Sequence, residues 1–265
     1  MFEFWRKRRR RRLMRTQLPQ EAVGWMEANV PYVRSLPEGD RRELEGLVQI
    51  FLEEKWFEGA GGIELTDEIR VTVAAQACIL LLRRDTDVYS ELRTVVVYPQ
   101  AYVARATTQD AAGIVTEGEQ LRLGESWDLG TIVLSWDDVR HGAADIRDGH
   151  NVVFHEFAHQ LDQESGAADG TPVLGERSRY ISWARVLSRT FQDLQERIAA
   201  DRKTVLDPYA GTDAAEFFAV ATECFFEKPR SLERHRPELY AELRRFYRRD
   251  PAALARGEPE RLEEG

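Results

Sequence analysis

The sequence predicts an α+β fold, and three observations lead there. Short β-branched runs lie in the first half of the chain. After residue 149 helical periodicity continues almost to the end. Hydrophobic residues make up 43% of the chain, enough to fill a sizeable core. Strands gathered before helices favour α+β over an alternating α/β arrangement.

Residues 1–16 read as a flexible basic arm, 17–250 as one domain and 251–265 as an acidic tail. Within the domain, helical patterns occupy about 20–29 and 38–54, the second carrying Leu44, Leu47, Val48, Phe51 and Leu52. A third, 67–83, spaces Val73, Ala77, Leu80 and Leu81 for one face and places Asp67 and Glu68 at its start, where the helix dipole favours acids. The run 94–98 is β-branched and stops before Pro99, so it reads as a strand. Shorter strands are expected at 113–116, 120–123 and 131–135. Ser135 and Asp138 form a capping pair for a short helix. Long helices follow at about 149–162, 178–200, 214–227 and 236–248.

The net charge of −9 averages two unlike parts. Residues 1–15 hold seven Arg and Lys7 against Glu3, a net of +7, which leaves −16 on the remaining 250 residues. An acidic body is a poor nucleic-acid binder. The run Arg6–Arg12, preceded by Phe2, Phe4 and Trp5, suits anionic lipid, nucleic acid, the acidic body itself or plain solvent. No run reaches the roughly 18 apolar residues of a membrane span, and no apolar segment follows the basic run as a secretory signal requires. Cys78 and Cys224 stand far apart, which points to a reducing compartment and a cytoplasmic protein.

The chemistry concentrates at His155-Glu156-Phe157-Ala158-His159, an HExxH motif in a chain with only five His. On a helix, residues four apart share a face, so both imidazoles can reach one Zn²⁺ at about 2.0–2.1 Å. Glu156 lies about 100° round, placed to act as general base on a metal-activated water. Val152, Val153, Phe154, Phe157, Ala158 and Leu161 make the helix apolar nearly all round, as for a buried helix. The plain alternative is a core helix with two hydrogen-bonded histidines. Two His and a Glu buried without a partner would be costly, which favours a metal.

A catalytic zinc needs a third protein ligand. The longer metzincin pattern fails here, because Asp162 and Ser165 occupy the positions it reserves for Gly and His. Glu176 suits by distance but sits in a loop or helix start. The stronger candidate is Glu216, at the head of an apolar helix starting near 214, with Glu223 seven residues on. A buried carboxylate needs a charge partner. Glu216 also stands three after Asp213 and could close a capping box. Glu223 suits a supporting role behind the ligands. Tyr209 either donates its hydroxyl to a developing oxyanion or simply packs.

Several segments carry a resemblance: His-Glu-Phe-Ala-His-Gln-Leu-Asp at 155–162, Gly-His-Asn-Val-Val at 149–153, Val-Leu-Ser-Trp-Asp-Asp-Val at 133–139, and Tyr209 followed by Ala-Glu-Phe-Phe-Ala-Val at 215–220. Together they resemble the Mlc titration factor A family over roughly residues 20–250. The stretch from Tyr209 to Glu216 is also similar to the catalytic domain of anthrax lethal factor. The resemblance implies a zincin-like, gluzincin-type peptidase with one Zn²⁺ per chain. It makes His155, His159 and Glu216 the ligands, Glu156 the base and Tyr209 a transition-state stabiliser. It further implies aminopeptidase-like action on short peptides and binding to a glucose-responsive transcriptional repressor. Some family members carry a His near the position of Thr116; this chain has no His before His141. The fourth metal position would fall to water or to His150. The basic run 6–12 is not implied by the resemblance. The strand 131–135 is either an edge beside the cleft, open to an extended peptide, or an interior strand.

Overall fold

The computed structural model describes residues 2–85, 87–100, 102–109, 115–122, 124–127 and 130–260, with the strands between 102 and 127 described by their backbone. In chain order, helices α1 (Phe2–Leu13), α2 (Gln20–Asn29), α3 (Tyr32–Ser35) and α4 (Glu38–Glu54) lead into strand β1 (Trp56–Gly59). Helix α5 (Asp67–Ile79) precedes strands β2 (Thr94–Tyr98), β3 (Tyr102–Gln109), β4 (Val115–Arg122), β5 (Gly124–Trp127) and β6 (Thr131–Ser135). Then come α6 (Trp136–Ala144), α7 (Val152–Gln163), α8 (Arg177–Ala199), a 3₁₀ turn (Pro208–Gly211), α9 (Ala214–Glu227), α10 (Pro229–His235), α11 (Pro237–Tyr247) and α12 (Pro251–Ala255).

The main sheet has the order β1-β2-β6-β5. Its first three strands are parallel and β5 runs antiparallel to β6. Thr94 to Tyr98 alternate, with Val95 and Val97 fully buried. In β6 Ile132, Val133 and Leu134 are all buried, as an interior strand covered on both faces requires. Of the two readings of 131–135, edge or interior, the structure has the interior one: β6 lies between β2 and β5, and β1 and β5 are the outer strands. Among the described residues, strands β3 and β4 pair with each other and with no other strand. This mixture of helices with a small, largely parallel sheet is an α+β arrangement. β1 and β3 escaped the sequence reading because Trp56–Gly59 is only four residues long and Tyr102–Gln109 carries Arg and Gln among its β-formers.

The described residues near both ends, 2–13 and 251–255, form helices where composition suggested a flexible arm and a tail. The basic segment forms α1, which packs on α4. Asp250 caps α12 by accepting from Ala253 N at 3.1 Å, and beyond that helix the Glu260 side chain is only 3% exposed, held at 3.0 Å from Arg249. No helix among the described residues is long and apolar enough to cross a membrane.

The core is centred on α7. At i, i+3, i+4 and i+7, Phe154, Phe157, Ala158 and Leu161 form its rear face, each 0–2% exposed. Phe154 meets Phe226 and Tyr32 at centroid distances of 5.2 and 6.5 Å. Phe157 meets Tyr89 and Phe51 at 4.8 and 5.7 Å. Losing such a ring costs about 3–5 kcal/mol, so the helix is firmly seated. His155 and His159 are thereby directed to the opposite side.

Candidate metal centre

Helix α7 starts at Val152, later than the expected start near 149. Gly149 takes a left-handed backbone, φ +77°, and Asp148 closes the turn by accepting from His150 N at 2.9 Å. Asn151 is the cap: its Oδ1 accepts from Phe154 N at 3.0 Å. The Asn151 amide donates to Gln76 Oε1 at 3.1 Å and to Gly142 O at 3.3 Å. A buried polar cap with its partners satisfied fixes the axial position of the helix, and with it the two histidines. Asn151 and Gln76 were not singled out in the sequence; an Asn opening an apolar helix was the available signal.

Helix α9 lies against α7. Asp213 caps it, accepting from Glu216 N at 2.9 Å, which is half of the expected capping box. The Glu216 carboxylate faces the imidazoles. Its Oε2 is 3.0 Å from His155 Nε2 and 3.7 Å from His159 Nε2. The two Nε2 atoms are 3.2 Å apart. For a tetrahedral metal with bonds of about 2.0–2.1 Å, ligand atoms stand about 3.3–3.4 Å from one another. The three observed separations bracket that value. His155, His159 and Glu216 form the metal-competent group found among the described residues.

The donor chemistry fits as well. His155 Nδ1 lies 2.8 Å from Glu223 Oε1, so Nδ1–H donates and Nε2 presents a lone pair. The other oxygen of Glu223 accepts from Asn151 N at 2.6 Å. Glu223 thus ties the cap of α7 to the orientation of His155, a supporting role. Two imidazole Nε2 atoms and a carboxylate converge on one point, where Glu216 Oε2 is buried without a hydrogen bond. Such an arrangement calls for a cation. Burial pulls the His155 pKa down, yet Glu216 and Glu223 prevail and hold it up to about 10; a cation held here would displace that proton. Burial pushes Glu216 up, and the two histidines outweigh it and hold the carboxyl well below the usual range.

Glu156 is 5% exposed. Burial raises its proton affinity, with His155 and His159 opposing. Tyr209 sits on the 3₁₀ turn, fixed by its backbone N–H donating to Asp207 Oδ1 at 2.8 Å. Its ring centroid lies 6.2 Å from that of His155 and the residue is 54% exposed. Burial of its hydroxyl and the nearby Glu216 push its pKa up to about 12. Glu176 instead precedes α8, exposed and outside the cluster. His150 turns to Asp207, at 3.7 Å. The side chain at Thr116 lies outside the described residues.

The chain matches the family described as glucose-regulated metallo-peptidase M90 over residues 4–248. It belongs to that family. The match takes in the whole basic run 6–12, which the motif resemblance did not cover. An uncharacterized protein of Synechocystis sp. is 39% identical over 251 residues, 94% of this chain and 91% of its own length. Mlc titration factor A of Pectobacterium atrosepticum is 34% identical over 233 residues, covering 86% and 87%. Mlc titration factor A of Yersinia pestis is 31% identical over 233 residues, covering 86% and 85%. The resemblance read from the motifs is thereby borne out, and membership of the M90 family suggests a metal, typically zinc, near His155, His159 and Glu216.

Proposed function

We propose that this M90 family member is a zinc-dependent peptidase with a zincin-like, gluzincin-type site. His155, His159 and Glu216 hold one zinc ion. When bound, zinc polarises the scissile carbonyl and lowers the pKa of water toward about 7. Glu156 takes the proton from the attacking water and returns it to the leaving amine; its raised proton affinity suits both steps. Tyr209 donates its hydroxyl to the developing oxyanion. Glu223 keeps His155 in the tautomer that presents Nε2. The edge strand β5, which packs beside α7, offers its free backbone to an extended peptide. The observation that carries this reading is the convergence of two imidazole Nε2 atoms and a carboxylate oxygen, 3.0–3.7 Å apart, with no Lys or Arg paired to them among the described residues. Glu156→Gln is expected to lower hydrolysis of unblocked peptides by about 10²–10⁴-fold with zinc content unchanged. Undiminished activity would contradict the mechanism.

The aminopeptidase-like preference rests on the family resemblance, whereas the domain bounds 17–250 rest on the composition of the two ends. The free, buried Cys78 and Cys224 support a reducing, cytoplasmic setting. Kinship with proteins called Mlc titration factor A supports a second role, compatible with the first: binding a glucose-responsive transcriptional repressor through protein contact. Co-purification of the Glu156→Gln variant with such a repressor would separate this role from catalysis. Failure to recover it would remove the role and leave the peptidase reading standing.

A further inference from the structure

Helix α1 is split by its own contacts into two faces. One face is consumed by docking. Arg10 pairs with both oxygens of Glu54, at 2.7 and 2.6 Å, and with Asp87. Arg6 reaches Asp87 at 3.2 Å and Arg9 pairs with Glu53. Leu13 packs against the core. Gln49 of α4 donates to Leu13 O and Thr16 O at 3.2 and 2.6 Å, holding the helix C-terminus. Gly46 is part of the same fit, since a Cβ there would come within 2.6 Å of Met14 Sδ.

The opposite face is left free. Phe4, Arg8, Arg11 and Arg15 follow one another at helical spacing, flanked by Trp5, Lys7 and Arg12. All seven are exposed. The five cations among them form no ion pair among the described residues. Phe4 and Trp5, 64% and 58% exposed, meet edge to face at 6.1 Å near the helix N-terminus, and Arg8 lies 5.8 Å over the Trp5 ring. The result is a convex, preordered rod about 18 Å long, cationic along its length and aromatic near one end.

We propose that this outward face binds anionic lipid bilayers, with Phe4 and Trp5 entering the headgroup boundary and Lys7, Arg8, Arg11, Arg12 and Arg15 lying against lipid phosphates. Aromatic rings favour that boundary, and each basic residue at an anionic surface strengthens binding by about fivefold. A single-stranded nucleic acid calls for a groove that tracks its backbone, and this face is convex. The docked face ensures that the helix need not fold on contact, which lowers the entropic cost of binding.

The test is co-sedimentation of the full chain with phosphatidylcholine vesicles, with or without phosphatidylglycerol. Binding is expected only with phosphatidylglycerol, and added salt should weaken it. Arg8→Glu with Arg11→Glu should weaken it at least about 20-fold. Phe4→Ala with Trp5→Ala should weaken it severalfold while leaving the salt dependence. Neither pair touches Arg6, Arg9 or Arg10, so the denaturation midpoint should hold. Equal sedimentation with both vesicle types, or with neither, would overturn the proposal. So would tighter binding to random-sequence DNA that ignores Phe4 and Trp5. Self-association removed by Phe4→Ala with Trp5→Ala, without vesicle binding, would assign the face to a second copy of the chain instead.

Discussion

Two clusters of ionisable side chains lie within this molecule, and they differ in how their charge is balanced. In the first, Asp40 and Glu260 meet Arg83 and Arg249. Arg83 grips Asp40 with two bonds of 2.8 Å, Arg249 reaches the same carboxylate at 2.6 Å, and Glu260 lies 2.7 Å from Arg83 and 3.0 Å from Arg249. Two acids face two guanidiniums, so the formal charges of these four balance, though Arg249 Nε and Nη2 and Glu260 Oε2 are buried without a hydrogen bond. In the second, Glu156, Glu216 and Glu223 surround His155 and His159 with no Lys or Arg among their ion pairs. The first cluster is balanced in charge and ties the chain beyond α11 to α4. The second is short of positive charge at one defined point. Carboxylates and histidines in a protein interior mark a binding site when their charges do not close.

The largest effect is expected where the balanced cluster is broken. Arg249→Ala leaves Asp40 and Glu260 under-compensated and should cost about 3–5 kcal/mol in chemical denaturation, without altering the zinc content of the folded fraction. A loss below about 1 kcal/mol would mean the cluster is not balanced as described. In the second cluster, Glu223→Gln removes the carboxylate behind His155. Zinc affinity should fall about 10–100-fold in a competition titration, with little change in denaturation midpoint of the metal-free protein.

The smallest effect concerns Glu227, one turn beyond Glu223 and 4% exposed. Burial raises its carboxyl to about 9; Asn151 opposes the rise and Asp148 adds to it. Because the folded pKa lies above the unfolded value, the folded state keeps a proton that the unfolded state releases. Stability therefore falls as pH rises from about 4.5 through about 9. Glu227→Gln should remove that decline and stabilise the protein by about 1–3 kcal/mol near pH 8, with the gain vanishing near pH 4. Parallel pH profiles for the variant and the parent would show that Glu227 is not held neutral.

The binding cluster was far more legible in the sequence than the balanced one. Two His four apart on an apolar helix announce themselves because helical geometry is local. Glu216 stood out because a carboxylate heads an apolar helix there, and the structure brings it to the two histidines. Its competing reading as a capping residue proved half right: Asp213 caps the backbone N–H while the Glu216 side chain turns to the imidazoles. The pairing of Asp40 with Arg249 joins residues 209 apart, and no periodicity carries such a signal. The same limit hid the edge strand, since position in a sheet depends on which strand pairs last. Gly124–Trp127, not Thr131–Ser135, takes that place. The basic run looked flexible by composition; its order comes from acids at Glu53, Glu54 and Asp87, supplied by distant parts of the chain.

The central claim, that the unbalanced cluster is a zinc site, is tested most directly by zinc stoichiometry. Metal-depleted wild type should take up about one zinc per chain and gain thermal stability on doing so. Glu216→Ala and His159→Ala should each lose both the uptake and the gain. Wild type that binds no more zinc than these two variants would contradict the account.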